Sequence, residues 1–192
     1  RTFEVQPGQT VLFHAAAGGV GLLACQWLKA KGARVIGTVG SEAKAALARA
    51  AGCDEVILYT KEDFVARTRA LTGGQGVPVV YDSVGRDTFH RSLDCLAPRG
   101  LLVGFGNASG KPDPLDVGSL AVKGSLFVTR ATLFTYTASR ADLELSAGRV
   151  FDAVAGGTLR PHIGQRFPLA DAAQAYRALE GRGTTGSTLL LP

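Results

Sequence analysis

The sequence predicts an α/β protein with a doubly wound parallel sheet of about six strands. Short apolar runs rich in β-branched residues alternate along the chain with segments of helical periodicity. Because the runs are apolar on both faces, helices are expected to cover both sides of the sheet. A glycine-rich turn also separates the first run from the first helical segment, where such sheets carry their ligand loop.

The apolar runs place the strands at 10–15, 34–39, 55–59, 77–82, 100–105 and 125–129. Helical patterns fill the gaps at 19–31, 42–51, 61–71, 86–96 and 137–156. In the first helix, one apolar stripe is predicted to contain Val20, Leu23, Ala24, Trp27 and Leu28. Gly32, Gly52 and Gly73 stand where helix C-caps are expected. Strands and helices in this rhythm make a complete Rossmann sheet.

The pattern changes after about residue 157. We assign residues 1–157 to a dinucleotide-binding domain and treat residues 158–192 as a separate C-terminal segment. This segment reads as a short extended piece, a turn at Pro168, an amphipathic helix over 170–180, a Gly/Thr loop and a last strand. So few elements cannot bury a core alone, and we expect them to complete the sheet of a second domain.

The composition of the 192 residues favours a soluble globular protein, with 46% hydrophobic and 19% charged residues. A net charge of +5 is spread along the chain, which fits an anionic ligand or simply a solvated basic surface. No run is long enough for a membrane span. Three cysteines, far apart in sequence, argue against a disulfide framework and favour the cytoplasm. The histidines have no metal-ligand spacing, so we predict no metal site.

The glycine-rich turn "AAAGGVG" (15–21) is the first candidate binding site. Aligned on a Gly-x-Gly-x-x-Gly loop it offers Ala16, Gly18 and Gly21, with Gly19 as an additional glycine. In such loops the second glycine admits a pyrophosphate and the third lets the helix pack on the strand. Ala16 replaces the first glycine, which weakens the motif. Its position between a strand and a helix nevertheless favours phosphate binding over a purely structural turn.

The end of the second strand distinguishes NAD from NADP. An NAD site usually has an acidic residue there that binds the ribose 2′-hydroxyl. In "GTVGSEAK" (37–44) this point is occupied by Gly40 and Ser41, and Lys44 follows one helical turn later. A 2′-phosphate would meet no repulsion and could pair with Lys44, whereas Glu42 suits the helix dipole. The alternative is a capped helix with a solvated lysine; we favour NADP.

Further candidates lie where other strands end. Tyr59 ends the third strand and could reach a 2′-phosphate, or it could be a packing aromatic. Asp82 is the best-placed carboxylate for acid–base chemistry, although an aspartate there more often caps the next helix. The stretch "GFGN" (104–107) suits the nicotinamide ribose, and "VTR" (128–130) ends the sixth strand. No nucleophile is paired with a base, so the catalytic residues stay unknown.

Together, "AAAGGVG", "GTVGSEAK", "YDSVGRDT", "VGFGNASG" and the ending "PLADAAQAYRALEGRGTTGSTLLLP" resemble the medium-chain dehydrogenase/reductase superfamily. Within it, they are most similar to zinc-free, zeta-crystallin-like NADPH:quinone oxidoreductases. The resemblance covers essentially the whole chain and implies roles for several residues. The pyrophosphate would be held by Gly18, Gly19, Val20 and Gly21, and the 2′-phosphate end by Gly40, Ser41, Lys44 and Tyr59. The nicotinamide half would face Phe105, Gly106, Asn107 and a turn of Val128, Thr129 and Arg130, while Arg182 could also reach the cofactor.

Members of that family carry a GroES-like domain before the Rossmann half, and this sequence does not include one. We therefore expect a cofactor-binding fragment, inactive alone, of a reductase that transfers a hydride from NADPH to a quinone. An enoyl or alkenal reductase of the same superfamily is the nearest alternative. Binding of RNA, which zeta-crystallin relatives also suggest, lacks a basic stripe with interleaved aromatics here and is not favoured. The resemblance further implies a homodimer formed through the strand at 125–129.

Overall fold

The computed structural model describes residues 2–192. Its centre is a six-stranded parallel sheet in the order β3-β2-β1-β4-β5-β6. This order reverses between β1 and β4, as in a Rossmann sheet. The strands are β1 (Thr10–Phe13), β2 (Arg34–Val39), β3 (Glu55–Leu58), β4 (Val77–Asp82), β5 (Leu96–Gly104) and β6 (Phe127–Arg130). The predicted doubly wound α/β fold is confirmed.

Helices connect the strands and cover both faces of the sheet. They are α1 (Gly19–Ala30), α2 (Glu42–Ala50), α3 (Phe64–Leu71), α4 (Phe89–Leu93), α5 (Gly118–Val122), α6 (Leu133–Tyr136) and α7 (Arg140–Ala155). Local chemistry fixes several helix ends. Ser41 caps α2 by accepting from the Lys44 amide, and Asp63 caps α3 by accepting from two amides. Gly32, Gly52 and Gly73 follow their helices with φ of +78°, +104° and +60°, as the C-cap prediction required.

The core consists of one buried cluster on each face of the sheet. One lies under α1 and α2 and includes Val11, Val35 and Cys25; the other includes Leu12, Ile36 and Leu102. Successive residues of β1 and β2 thus point to opposite clusters, which explains why these strands read as continuous apolar runs.

Leu28 of the predicted apolar stripe of α1 is buried, but the rest of the buried face is shifted by about one residue from the prediction. Gly21, Leu22, Cys25 and Leu28 are the buried positions, and Val20 is 62% exposed. Gly21 allows α1 to approach the glycine turn closely, so this position of the first helical turn, and not Val20, faces inward. Side-chain size in the first helical turn therefore outweighs hydrophobicity here.

Strand boundaries also differ from prediction: β1 and β3 end two residues and one residue early, and β5 and β6 differ at both ends. β5 begins at Leu96 because Leu96 already pairs with Val77 of β4. The register then shifts, and the next pair is Val79 with Leu101. β6 extends to Arg130, which pairs with Gly104. Val128, Thr129 and Arg130 therefore lie in a strand, and the turn expected there is corrected. The short helices α5 and α6 were not predicted; α6 has too few residues for a periodic signal.

The C-terminal segment forms a separate two-stranded parallel sheet of β7 (Ile163–Pro168) and β8 (Ser187–Leu191). A 3₁₀ turn (Leu169–Asp171) and α8 (Ala172–Glu180) connect the two strands. The predicted apolar face of the helix is not covered, because Leu169, Tyr176 and Leu179 are 55%, 64% and 45% exposed. A single bridge, between Gly18 and Gly186, joins this segment to the glycine turn.

Candidate functional site

A cleft of about 380 Å³ lies beyond the carboxyl ends of β1, β2 and β4, where the strand order reverses. Ligands bind at this position in open α/β sheets. The predicted site residues that line it are Gly18, Gly40, Lys44, Tyr59 and Arg182. Other lining residues include His14, Phe64, Asp87, Thr88 and Arg91. The cleft thus brings together one part of the predicted site.

The glycine turn forms one wall of the cleft, and its geometry requires glycine at position 21. A Cβ there would lie 2.3 Å from the carbonyl oxygen of Ala15 and 2.7 Å from that of Ala16. Both neighbours are main-chain atoms, so no side-chain movement could relieve the clash. Gly18 caps α1 with extended backbone angles and no side chain over the helix end. The first amides of the helix therefore point at the turn, where an anion would be stabilised.

The C-terminal segment reaches this turn directly. The Gly186 amide donates to the Ala17 carbonyl over 3.0 Å, and a Cβ on Gly19 would lie 3.2 Å from the Gly186 carbonyl oxygen. Gly186 itself has φ of +57° and would clash with the His162 carbonyl if it carried a side chain. Residues 181–186 therefore form a strap across the edge of the cleft, and the strap carries Arg182.

Two cations of the cleft are linked by a hydrogen bond. The Lys44 ammonium donates to the main-chain carbonyl of Arg182 at 2.5 Å. The Arg182 guanidinium lies 3.4 Å from a carboxylate oxygen of Asp87, another residue of the cleft. Glu42 pairs with Lys61 at 3.2 Å and does not line the cleft. No acid at the end of β2 faces Lys44, whereas the charge of Arg182 is partly offset by Asp87, so the net positive potential at this end of the cleft comes mainly from Lys44.

The end of β2 also approaches the end of β3 very closely. A Cβ on Gly40 would lie 2.7 Å from the Tyr59 hydroxyl oxygen. Tyr59 is 46% exposed and lines the cleft, so it is not a buried packing residue. Glycine at position 40 leaves the space in which the phenol reaches the cleft.

A buried polar network lies beneath the cleft and centres on His14. Its Nδ1 is 2.8 Å from the Thr38 hydroxyl and its Nε2 is 2.9 Å from the Ser92 hydroxyl. The Ser92 hydroxyl also lies within hydrogen-bond distance of the Thr88 carbonyl and of Asp82; with its proton on either of them, Nε2 donates and Nδ1 accepts. Burial lowers the pKa of His14 to about 4, partly offset by the charge of Asp82. The neutral ring, directly after β1, therefore connects β2 and α4 through hydrogen bonds to Thr38 and Ser92.

Asp82 has a structural role. Its carboxylate accepts from the amides of Val84 and Gly85, at 2.7 and 3.1 Å, and from the Thr88 hydroxyl at 2.8 Å. With 1% of its surface exposed, it folds the loop after β4 and does not face the cleft. Asp82 therefore stabilises the loop itself and does not cap α4, whose N-cap position is Thr88.

The other predicted residues lie elsewhere along the sheet edge. Phe105 packs against Phe13, with ring centroids 5.8 Å apart. A Cβ on Gly106 would lie 2.6 Å from the Ser83 carbonyl oxygen, so this turn approaches the β4 loop closely. None of residues 105–107 or 128–130 lines the 380 Å³ cleft. Sequence reasoning assigned no site role to His14, Phe64 or Arg91, because each makes its contacts across the fold without a local motif.

Across residues 2–192, no three His, Cys, Asp or Glu side chains lie close enough together to hold a metal ion. Both nitrogens of His14 are engaged by hydroxyls, and the thiols of Cys25 and Cys53 contact each other. The described side chains do not fit a zinc centre. Within the same residues, no helix has both the length and the hydropathy needed to cross a membrane.

The chain is similar in sequence and in fold to several known proteins. The chain is 54% identical, over all of its length, to 59% of the quinone oxidoreductase of Pseudomonas aeruginosa. It is 48% identical to 58% of a 2-haloacrylate reductase from Burkholderia. Its fold superposes with a TM-score of 0.97 and 51% identity on the quinone oxidoreductase of Escherichia coli complexed with NADPH, covering 60% of that chain. The chain thus spans about three fifths of the length of these relatives.

These relatives confirm the resemblance expected from the motifs. The sequence profile of the zinc-binding dehydrogenase family matches residues 19–145, which include α1, the end of β2, Tyr59 and the β4 loop. This match extends over more than half of the 192 residues. The chain therefore belongs to the zinc-binding dehydrogenase family.

Proposed function

We propose that this chain is the NADPH-binding part of an oxidoreductase. The observation that carries the proposal is the convergence of the glycine turn, Lys44, Tyr59 and Arg182 on one cleft at the strand-order reversal. The turn offers helix amides to a pyrophosphate, and the two cations stand where a 2′-phosphate would extend from the adenosine ribose. The NADPH complex of the Escherichia coli relative supports the same cofactor.

In this proposal the 2′-phosphate of NADPH is recognised by charged and hydroxyl groups and by the room that the site leaves for them. The Lys44 ammonium and the Arg182 guanidinium pair with the 2′-phosphate, and the Ser41 and Tyr59 hydroxyls donate to it. Gly40 leaves room for the phenol. Gly18, Gly19, Val20 and Gly21 contact the pyrophosphate through main-chain amides. The nicotinamide half lies toward Phe105, Gly106, Asn107 and the carboxyl end of β6, with Val128, Thr129 and Arg130.

The bound nicotinamide supplies a hydride, and the proposed acceptor is a quinone. This assignment follows the quinone oxidoreductases of Pseudomonas aeruginosa and Escherichia coli, which are 54% and 51% identical to the chain. The residues of this chain bind and orient the cofactor and keep its phosphates in a positive environment. No group of the cleft is positioned as a nucleophile with its base, because the His14 nitrogens are both engaged.

A second candidate is reduction of a conjugated carbon–carbon double bond. It is favoured by the 48% identity to the 2-haloacrylate reductase of Burkholderia. Turnover assays on the full-length enzyme separate the two reactions. NADPH oxidation with quinones, and little with enones or haloacrylates, is expected. Activity with enones and none with quinones would reverse the assignment.

We further propose that residues 1–157 form the cofactor domain and that residues 158–192 belong to a second, substrate-binding domain. Support comes from the separate β7–β8 sheet and from the exposed apolar face of α8. A homodimer formed through β6 is also proposed, because Phe127 is 60% exposed on this edge strand. Sedimentation analysis of the wild type and of Phe127→Asp tests it, and a wild-type monomer at micromolar concentration would contradict it. A cytoplasmic location is proposed as well, since three cysteines far apart in sequence favour a reducing compartment.

A direct binding titration tests the cofactor assignment. Calorimetry with NADPH and NADH is expected to give saturable binding of both and a lower Kd for NADPH. Failure of both to bind would remove the proposed function.

A further inference from the structure

Two of the three cysteines meet in the core, although 28 residues separate them in sequence. The Cys53 thiol donates to the Cys25 sulfur with the two atoms 3.3 Å apart. Cys25 is fully buried in α1, and Cys53 is 6% exposed in the connection between α2 and β3. Cys95 lies in the cluster on the opposite face of the sheet, where its thiol donates to the Arg91 carbonyl. Geometry therefore selects one pair of the three possible ones.

The main chain around the pair is held close on both sides. A Cβ on Gly52 would lie 2.9 Å from the Cβ of Lys29 and 3.4 Å from the Cys25 carbonyl oxygen, so only glycine allows this approach to α1. Asp54 then pairs with Lys29 and accepts from the Val35 amide at 2.8 Å. Gly52 and Asp54, on either side of Cys53, thus both hold this connection against α1.

The sulfur of Cys53 also packs closely against the sheet. A Cβ on Gly37 of β2 would lie 2.7 Å from this sulfur and 2.7 Å from the Cβ of Ala16. Gly37 therefore leaves space for the thiol, which rests on β2 beside the glycine turn. The hydrogen bond with Cys53 and, second, burial raise the pKa of the Cys25 thiol, so Cys25 is a poor first nucleophile.

We propose that Cys25 and Cys53 form a modification site at which a hydroperoxide produces an internal disulfide. The more exposed Cys53 sulfur attacks a peroxide oxygen and the O–O bond breaks. Water is released, and Cys53 becomes a sulfenic acid. The Cys25 sulfur then attacks the Cys53 sulfur; an S–S bond forms, the S–O bond breaks, and the Cys25 proton leaves in a second water. Two thiols are oxidised, and one hydrogen peroxide is reduced to two waters. Small thiols reverse the bond by exchange.

Peptide mapping of the folded, full-length protein tests this site. The protein is treated with hydrogen peroxide, its remaining thiols are blocked with N-ethylmaleimide in denaturant, and the digest is analysed by mass spectrometry. We expect the peptides of Cys25 and Cys53 to be joined, with a loss of about 2 Da, and Cys95 to be alkylated. The circular dichroism spectrum measured before blocking must be that of the untreated protein, so that the bond is one formed in the folded state.

Matched variants make the assignment specific. Cys95→Ser is expected to form the bond as the parent does, whereas Cys53→Ala and Cys25→Ser cannot. Oxidation should raise the thermal midpoint of the parent and of Cys95→Ser by about 5 °C, and leave it unraised in Cys53→Ala. A bond to Cys95, or a pair that stays reduced in folded protein while Cys95 oxidises, would overturn the proposal. If a variant fails to fold, the peptide map of the parent protein is sufficient to test the proposal.

Discussion

The Tyr59 hydroxyl oxygen lies 2.7 Å from the point that a Cβ on Gly40 would occupy. This approach brings the ends of β2 and β3 together at the cleft, beside Lys44. A side chain at position 40 would displace the phenol, so glycine here serves the site as well as the turn. The relationship links a residue without a side chain to one that lines the cleft.

Gly40→Ala is expected to raise the Kd for NADPH about tenfold, because the added methyl group forces Tyr59 out of the cleft. The effect should shrink in a Tyr59→Ala background, where the methyl group meets no phenol. Calorimetric titration of the four proteins of this cycle measures the coupling. Equal effects of Gly40→Ala in both backgrounds would show that the two residues act independently.

Gly21→Ala is expected to lower the free energy of unfolding by about 2 kcal/mol, because its Cβ would overlap two main-chain carbonyls. Gly148 in α7 is the matched control, since a Cβ there meets nothing within 4 Å. Gly148→Ala should raise the free energy of unfolding by about 0.5–1 kcal/mol through helix propensity. Urea unfolding of both variants checks the pair, and a stable Gly21→Ala would refute the close contact of α1.

The lowered pKa of His14 predicts that the protein loses stability in mild acid. Its pKa is lowered from 6.5 to about 4 by burial, so the unfolded chain binds the proton more readily than the folded one. The stabilisation is therefore complete above pH 6.5 and is lost as the pH falls toward 4. This shift corresponds to about 3 kcal/mol in the free energy of unfolding. The charges that face the ring are Asp82, which opposes the shift, and Arg91, which adds to it.

The measurement is urea unfolding at pH 7.5, 6 and 5, in parallel with His14→Gln. Glutamine can donate and accept at this position but does not titrate. The parent should lose more free energy of unfolding than the variant between pH 7.5 and 5. Parallel curves for the two proteins would mean that His14 does not contribute.

Much of the fold could be predicted because its signals are local. β2 and β4 were placed at their observed bounds, since each is an apolar run that turn residues enclose. The glycine turn and Ser41 were found because capping and close approach depend on neighbours in sequence. The start of β5 at Leu96 could not be predicted, because it follows from pairing with Val77 across a register shift.

The parts of the site that sequence reasoning missed depend on contacts across the fold. His14 joins Thr38 and Ser92 from different elements, and no spacing along the chain marks that meeting. The Cys25–Cys53 contact likewise needs α1 to lie on the connection before β3. Arg182 came only from the resemblance, because the strap reaches the cleft through its contact with the glycine turn.

The central claim is that the cleft prefers NADPH because Lys44 meets the 2′-phosphate, and one comparison tests it most directly. Calorimetric Kd values for NADPH and NADH are measured on the parent, on Lys44→Ala and on the control Lys61→Ala, whose lysine pairs with Glu42 outside the cleft. We predict that Lys44→Ala weakens NADPH binding about tenfold, leaves NADH within about twofold, and that Lys61→Ala changes neither. Equal affinities of the parent for the two cofactors, or an equal loss of both in Lys44→Ala, would contradict the claim.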